Sequence, residues 1–247
     1  MASSGEKKLS GKVALISGGS RGIGRAVAAA YARESAAVFI CGRNQDDVAA
    51  AVHELRQAGG EADGAAGDVG LPSHAQRLVD AAMARFGKVD VLVNNASVLG
   101  PREPIADYPI AAWEEVLRIN LTGIFLLTRI VLPIMAARRA GSIINVTSGV
   151  GRRGKARWGA YAVSKAGVEN FTQVLAEEVQ GLQIRVNAVN PAATRTTMRA
   201  AAYPDEDPMT LPAPEEIVPV FLYLASDDSA AITGQSLDAR DWTERKD

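Results

Sequence analysis

Three side chains in the stretch TSGVGRRGKARWGAYAVSK, residues 147–165, could do chemistry together: the hydroxyl of Ser148, the phenol of Tyr161 and the amine of Lys165. Tyr161 and Lys165 are four apart, so a helix beginning after Gly159 puts them on one face, one turn from each other. A free phenol has a pKa of about 10, and roughly one in a thousand is ionised at neutral pH. A neighbouring ammonium favours the phenolate and is expected to lower that pKa. Tyr161 could then exchange a proton with an alcohol or carbonyl oxygen, and Ser148 would hold the same oxygen by a hydrogen bond. A Tyr and a Lys at this spacing also arise by chance, with the ring packed on the Lys stem. The pair takes its meaning from the elements that position it.

Those elements alternate. Residues 13–17 (VALIS) form a short apolar run ended by glycines, which reads as a buried strand. Glycines then give way to an alanine-rich helix through residue 34. Further strands are expected at 37–41, 61–68, 90–94, 142–147 and 184–189, with a short last one at 235–238; the Ala- and Gly-rich 61–68 has the weakest pattern. Helices are expected at 44–58, stopped by Gly59-Gly60, at 72–86, with Pro near its start and Gly87 after its end, and at 111–138, 158–179 and 214–225. Pro133 should bend or thin the last turns of the 111–138 helix. The alternation implies an α/β fold: a single-domain Rossmann fold with a doubly wound parallel sheet of about seven strands and helices on both faces. Such sheets bind ligands beyond the carboxyl ends of their strands. Gly18–Gly24, Asn94-Asn95, Ser148 and Pro191 all fall there and should converge on one crevice.

Composition bounds the reading. The chain has 247 residues, 47% of them apolar and 22% charged, as in an ordinary soluble domain. A net charge of −1 gives no pull towards nucleic acid or an anionic membrane. The single cysteine, Cys41, excludes an internal disulfide and fits a reducing compartment. His53 and His74 lie in separate segments without metal-ligand spacing, so no metal is expected. The start, MASSGEKKLSGK, has no apolar run and does not read as a secretory signal. No later stretch reads as a membrane span, and a cytoplasmic protein is expected. Residues 1–10 read as a flexible tail, 11–240 as the domain, with a short lid near 195–213, and 241–247 as a second tail.

The pattern Gly18-x-x-x-Gly22-x-Gly24 follows a strand and opens a helix, the context that a dinucleotide loop requires. Gly18 would allow the tight turn, Gly22 the approach of a pyrophosphate to the helix N-terminus, and Gly24 close helix–strand packing.

Taken in order, SGGSRGIG at 17–24, NNA at 94–96, Asn120, Ser148, YAVSK at 161–165 and NPAATRT at 190–196 carry a family resemblance. The sequence resembles the short-chain dehydrogenase/reductase family of nicotinamide-dependent oxidoreductases over about residues 10–238. The resemblance implies that Ser148 binds the substrate oxygen. Tyr161 is then the general acid for reduction and base for oxidation. Lys165 binds the nicotinamide ribose and lowers the Tyr161 pKa, and Asn120 holds a water that relays protons from Lys165. It also implies adenine contacts from Asp68 and Val69, a strand-steadying role for Asn94 and a carboxamide contact from Thr196. Ser20, Ile23, Asn44, Asn95, Ala96, Pro191 and Thr194 complete the expected cofactor set. It further implies a homodimer or homotetramer paired through the helices near 111–138 and 158–179.

Three positions depart from the family: Ser97 and Ala192, where glycine is usual, and LDARDWTERKD in place of a Val-Asp-Gly-Gly ending. Ala192 is harmless if its φ is negative. The altered ending bears on the subunit contact more than on the chemistry.

The expected activity is reduction of a ketone or aldehyde with NADPH. An NAD-dependent alcohol dehydrogenase and a nucleotide-sensing regulator are the alternatives. A Ser164–Lys165 hydrolase fails because adjacent helix residues do not face each other. An NAD enzyme of this fold usually ends its second strand with an acid on the ribose 2′-hydroxyl. Here Cys41-Gly42-Arg43-Asn44 has none, and Arg43 with Arg21 could pair a 2′-phosphate. NADP(H) is therefore the expected cofactor, with NAD(H) as the alternative.

Arg152, Arg153, Lys155 and Arg157 crowd the loop between Ser148 and Tyr161. They could bind an anionic substrate or carrier, latch onto Asp205, Glu206 and Asp207 of the proline-rich excursion, or simply be solvated.

Overall fold

Apolar runs bounded by glycine or a polar cap become the strands, and the amphipathic stretches between them become the crossover helices. The computed structural model describes residues 7–243. Seven parallel strands form one sheet: β1 (Val13–Ser17), β2 (Ala37–Gly42), β3 (Ala62–Ala66), β4 (Val91–Asn94), β5 (Gly141–Val146), β6 (Ile184–Asn190) and β7 (Ser236–Asp238). Their order is β3-β2-β1-β4-β5-β6-β7. The direction of winding reverses between β1 and β4, and this opens the crevice.

The sheet is buried on both sides, so alternate residues of one strand enter different cores. Ala14 and Ile16 face one core, with α1 (Gly22–Arg33), α2 (Gln45–Gln57) and α9 (Val218–Ala225). Leu15 faces the other, with α3 (Pro72–Phe86), α5 (Gly123–Arg138) and α7 (Gly159–Glu178). The punctuation works as its chemistry requires. Asn44 caps α2 by accepting from Asp47 N (3.0 Å), and Gly87 ends α3 at φ 75°.

Several boundaries differ from expectation. The helix expected at 111–138 is two helices, α4 (Ile110–Leu117) and α5, joined by a π-helical turn at Arg118–Thr122. The irregularity falls at this turn, which carries Asn120, and not at Pro133 inside α5. By length and composition the 29-residue run Ile110–Arg138 is apolar enough to cross a membrane, contrary to the sequence reading. Here it packs on the sheet, burying Leu126, Leu127, Val131 and Met135. The helix expected at 214–225 begins as a 3-10 turn, Pro214–Ile217, before α9.

Of the tail expected at residues 1–10, residues 1–6 lie outside the described residues. Leu9 is fully buried and its N–H donates to Glu34 O (3.1 Å). At the other end, the expected tail begins with α10 (Arg240–Thr243), where the Trp242 ring lies 4.5 Å from that of Tyr223. Residues 244–247 of that tail are outside the described residues. The excursion after β6 contains α8 (Thr197–Ala202) and a 3-10 turn at Pro208–Thr210.

Candidate active site

A cleft of about 610 Å³ lies across the carboxyl ends of the strands. All the residues expected for cofactor or substrate line it except Gly24 and Asn120. Gly24 sits under the glycine loop: a Cβ there would lie 2.3 Å from Gly18 O. Gly18 turns at φ 64°, and Asn95 Nδ2 ties the turn by donating to Ser17 O and Gly18 O, both at 3.0 Å. Gly22 also has positive φ, 54°, and a Cβ there would make one ordinary contact, with Thr196 Cγ2 at 3.7 Å. No side chain caps the first turn of α1, so its amides are free to meet an anion. The loop therefore fits the pyrophosphate of a dinucleotide.

At the end of β2, Arg43 is half-exposed, and its nearest carboxylate is Glu115 at 3.9 Å rather than Asp46 or Asp47. Arg21 is exposed beside it on the same cleft. Asp68, expected at the adenine, accepts from Gly70 N (2.9 Å) and pairs with Arg118 (2.8 Å). Thr196 Oγ1 caps α8 by accepting from Arg199 N (3.1 Å), which leaves its own proton available.

The other end of the cleft holds the reactive set. Helix α7 does put Tyr161 and Lys165 on one face, both buried. Ser148 follows β5 in extended backbone (φ −161°), and its hydroxyl faces the phenol. The electrostatics run opposite to expectation. Burial pushes the Tyr161 phenol up to about 12, with the Ser148 and Ser97 hydroxyls opposing it. Neither hydroxyl closes a bond of good geometry onto the phenol. Burial also lowers Lys165 to about 8. The ammonium does not offset the phenol's desolvation, because Nζ donates to Val146 O (2.8 Å) and lies 5.6 Å from the ring centre.

Asn120 is fully buried and its amide is engaged. Oδ1 accepts from Val98 N (2.8 Å), while Nδ2 donates to Val98 O (2.9 Å) and Ser164 Oγ (3.2 Å). It thus clamps the loop after β4. Asn94 spans strand and helix, donating to Asn145 Oδ1 (2.9 Å) and Thr128 Oγ1 (3.2 Å).

Two further expectations are corrected. Ala192 has φ 57°, in the left-handed region that a Cβ disfavours, so glycine would fit better there. The basic loop does not line the cleft. Arg152 is turned towards β7 and α7, where it pairs with Asp238 (2.7 Å) and Glu169 (3.2 Å) respectively. The loop and the excursion do meet, but through Lys155 Nζ donating to Tyr203 Oη (2.8 Å), not through ion pairs with Asp205, Glu206 or Asp207. Glu206 instead accepts from Arg199 Nε and Nη2, at 2.6 Å each. Sequence reasoning also missed the aromatic cluster here: Trp158 lines the cleft, and the Tyr203 ring packs against it, their centres 6.0 Å apart with the Arg102 guanidinium over both. No motif marks these residues, and only the folding of the excursion over the cleft assembles them.

The sequence profile of the short chain dehydrogenases matches residues 12–207. The Escherichia coli K12 oxidoreductase YciK is 38% identical over 235 residues, spanning 94% of this chain and 93% of its own. The Thermotoga maritima 3-oxoacyl-[acyl-carrier-protein] reductase FabG is 36% identical over 238 residues, spanning 92% of this chain and 96% of its own. Among solved structures, a short chain dehydrogenase of Shigella flexneri 2a complexed with NADP superposes with a TM-score of 0.91 at 37% identity, covering 95% of this chain and 99% of that one. A parallel doubly wound sheet with this cleft at its switch point is the architecture of a nucleotide-binding protein. This chain belongs to the short chain dehydrogenase family.

Proposed function

We propose that this protein is an NADPH-dependent reductase of a ketone or aldehyde, with Tyr161 as the proton donor. The observation that carries the proposal is a phenol, a hydroxyl and an amine gathered at one end of a cleft whose other end offers a glycine loop and two arginines. When bound, a nicotinamide would supply the hydride for the carbonyl carbon. Ser148 holds the carbonyl oxygen and fixes its orientation. Tyr161 gives that oxygen the proton and is left as phenolate. Burial raises the Tyr161 pKa, so the phenol is protonated at neutral pH, the form that gives a proton. Lys165, partly charged around its pKa of about 8, is suited to hold the ribose hydroxyls. Asn120 keeps the loop after β4 in register with them.

Arg43 and Arg21 support a 2′-phosphate and hence NADP(H), as do the NADP found in the Shigella structure and the NADPH in a related Escherichia coli CFT073 structure. The relative named a 3-oxoacyl-[acyl-carrier-protein] reductase supports a carbonyl substrate. Copies of this chain are inferred to pair through α5 and α7, which leave Phe125, Val163 and Val174 about half exposed.

The test is a panel of ketones and aldehydes with NADPH or NADH, followed by loss of nicotinamide absorbance. Tyr161→Phe should abolish turnover and leave cofactor affinity nearly intact, since it removes only the transferable proton. No turnover with any carbonyl, or a Tyr161→Phe variant keeping most of the rate, would overturn the proposal.

A further inference from the structure

The Ser97 hydroxyl is a polar group that the steps above do not use. Its oxygen is closed off from solvent and has no hydrogen-bond partner of good geometry. Burying an unpartnered hydroxyl costs stability. Nothing in the backbone asks for serine here, because Ser97 lies outside the left-handed region and glycine or alanine would serve the loop. The backbone that carries the hydroxyl is pinned on both sides. On one side Ala96 N donates to Ser17 Oγ (3.1 Å), and on the other Val98 N and O are both held by Asn120. Ser97 stands in the cleft wall with Ser148, and both hydroxyls face the Tyr161 phenol.

We propose that Ser97 is a positioning residue for the Tyr161 proton: its hydroxyl donates to the phenol oxygen and stabilises the phenolate left when that proton moves to substrate. This rests on the proton-donor reading above. The two serines then divide the work. Once a carbonyl enters, Ser148 is committed to the substrate oxygen, and Ser97 remains as the donor to the phenol. Other groups flank the phenol. From α7, Lys165 Nζ stands 5.6 Å from the ring centre and is turned to Val146 O. Just before α7, Trp158 presents its ring at 5.6 Å, with the Arg102 guanidinium 5.0 Å from the indole. Burial lowers Lys165 to about 8, and a Ser97 substitution leaves it in place.

The experiment is an alkaline titration of phenolate absorbance in the NADP⁺-bound protein, with no substrate present; every protein compared, wild type at positions 97 and 161 included, also carries Ser148→Ala, so that Ser148 cannot stand in for Ser97. Tyr161→Phe identifies the step that belongs to Tyr161 among the five tyrosines. Ser97→Ala and Ser97→Gly should move that step up by about one pH unit, a tenfold weaker acid, because a hydrogen bond to the charged form is lost. Ser97→Thr, which keeps the hydroxyl, should restore it. A purely structural role would not shift one tyrosine and be rescued by a hydroxyl. If wild type and Tyr161→Phe titrate alike, the proton-donor reading itself fails. If they differ but Ser97→Ala and Ser97→Gly match wild type, or Ser97→Thr shifts as far as Ser97→Ala, the role of Ser97 is refuted and that of Tyr161 stands.

Discussion

Lys165→Met should make the cofactor-free protein more stable at neutral pH while abolishing turnover. Lys165 is 2% exposed, and burial lowers its pKa from 10.5 to about 8. A shift of about 2.5 units at about 1.4 kcal/mol each means that its charge costs about 3 kcal/mol. Methionine has a similar shape and carries no charge. It forfeits the bond from Nζ to Val146 O, about 1 kcal/mol, so the net gain at pH 7 is about 2 kcal/mol. The pH dependence has a definite sign. Below pH 8 the amine is charged in both folded and unfolded chains, and the full penalty is present. Between about 8 and 10.5 the unfolded chain keeps a proton that the folded one sheds, so wild-type stability rises with pH. Above 10.5 neither state is charged and the penalty is gone. Subtracting the variant from wild type cancels the other titrating groups. Tyr161, whose pKa is raised from 10.0 to about 12, contributes stability that is lost mainly above this window. Urea unfolding of both proteins at pH 7, 8.5 and 10, without NADP(H), measures the difference; bound cofactor would mask it by mass action. A Lys165→Met protein no more stable than wild type at pH 7, or a difference independent of pH, would refute the reasoning.

Arg43→Ala should lower the preference for NADPH over NADH about tenfold, the lower end for a charge-assisted bond from a half-exposed side chain; kcat/KM with each cofactor measures it. Ala192→Gly should raise Tm by about 1–3 °C, because relief of the left-handed strain outweighs the added freedom of the unfolded chain; thermal melts of both proteins decide it. Phe125→Asp with Val174→Asp should shift the protein to a smaller species in sedimentation or size-exclusion while preserving its circular dichroism, since both side chains are about half exposed and apolar.

Much of the architecture was legible because its signals are local. Apolar runs bounded by glycine fix β1 and β2, since a strand buried on both faces needs no partner to be recognised. Pro72 and Gly87 bracket α3 for reasons confined to one helical turn. The convergence of Gly18, Asn95, Ser148 and Pro191 follows from parallel strands alone. The π-helical turn at Asn120 left no such mark: the amide's partners, the Val98 peptide and Ser164, lie 22 and 44 residues away in sequence.

The reactive groups, the glycine loop and the absence of an acid after β2 were determined by the sequence itself, because residue type and spacing carry them. Tertiary structure decided how those groups behave. The four-residue spacing placed the Lys165 ammonium near the phenol, but it could not say that both would be buried. Desolvation acts on the whole surroundings of a charge, and it reversed the expected direction at Tyr161. The sign of φ at Ala192, the turning of Arg152 towards Asp238 and the unpartnered hydroxyl at Ser97 have the same origin. Each depends on neighbours brought in by the folded chain, and no local pattern encodes them.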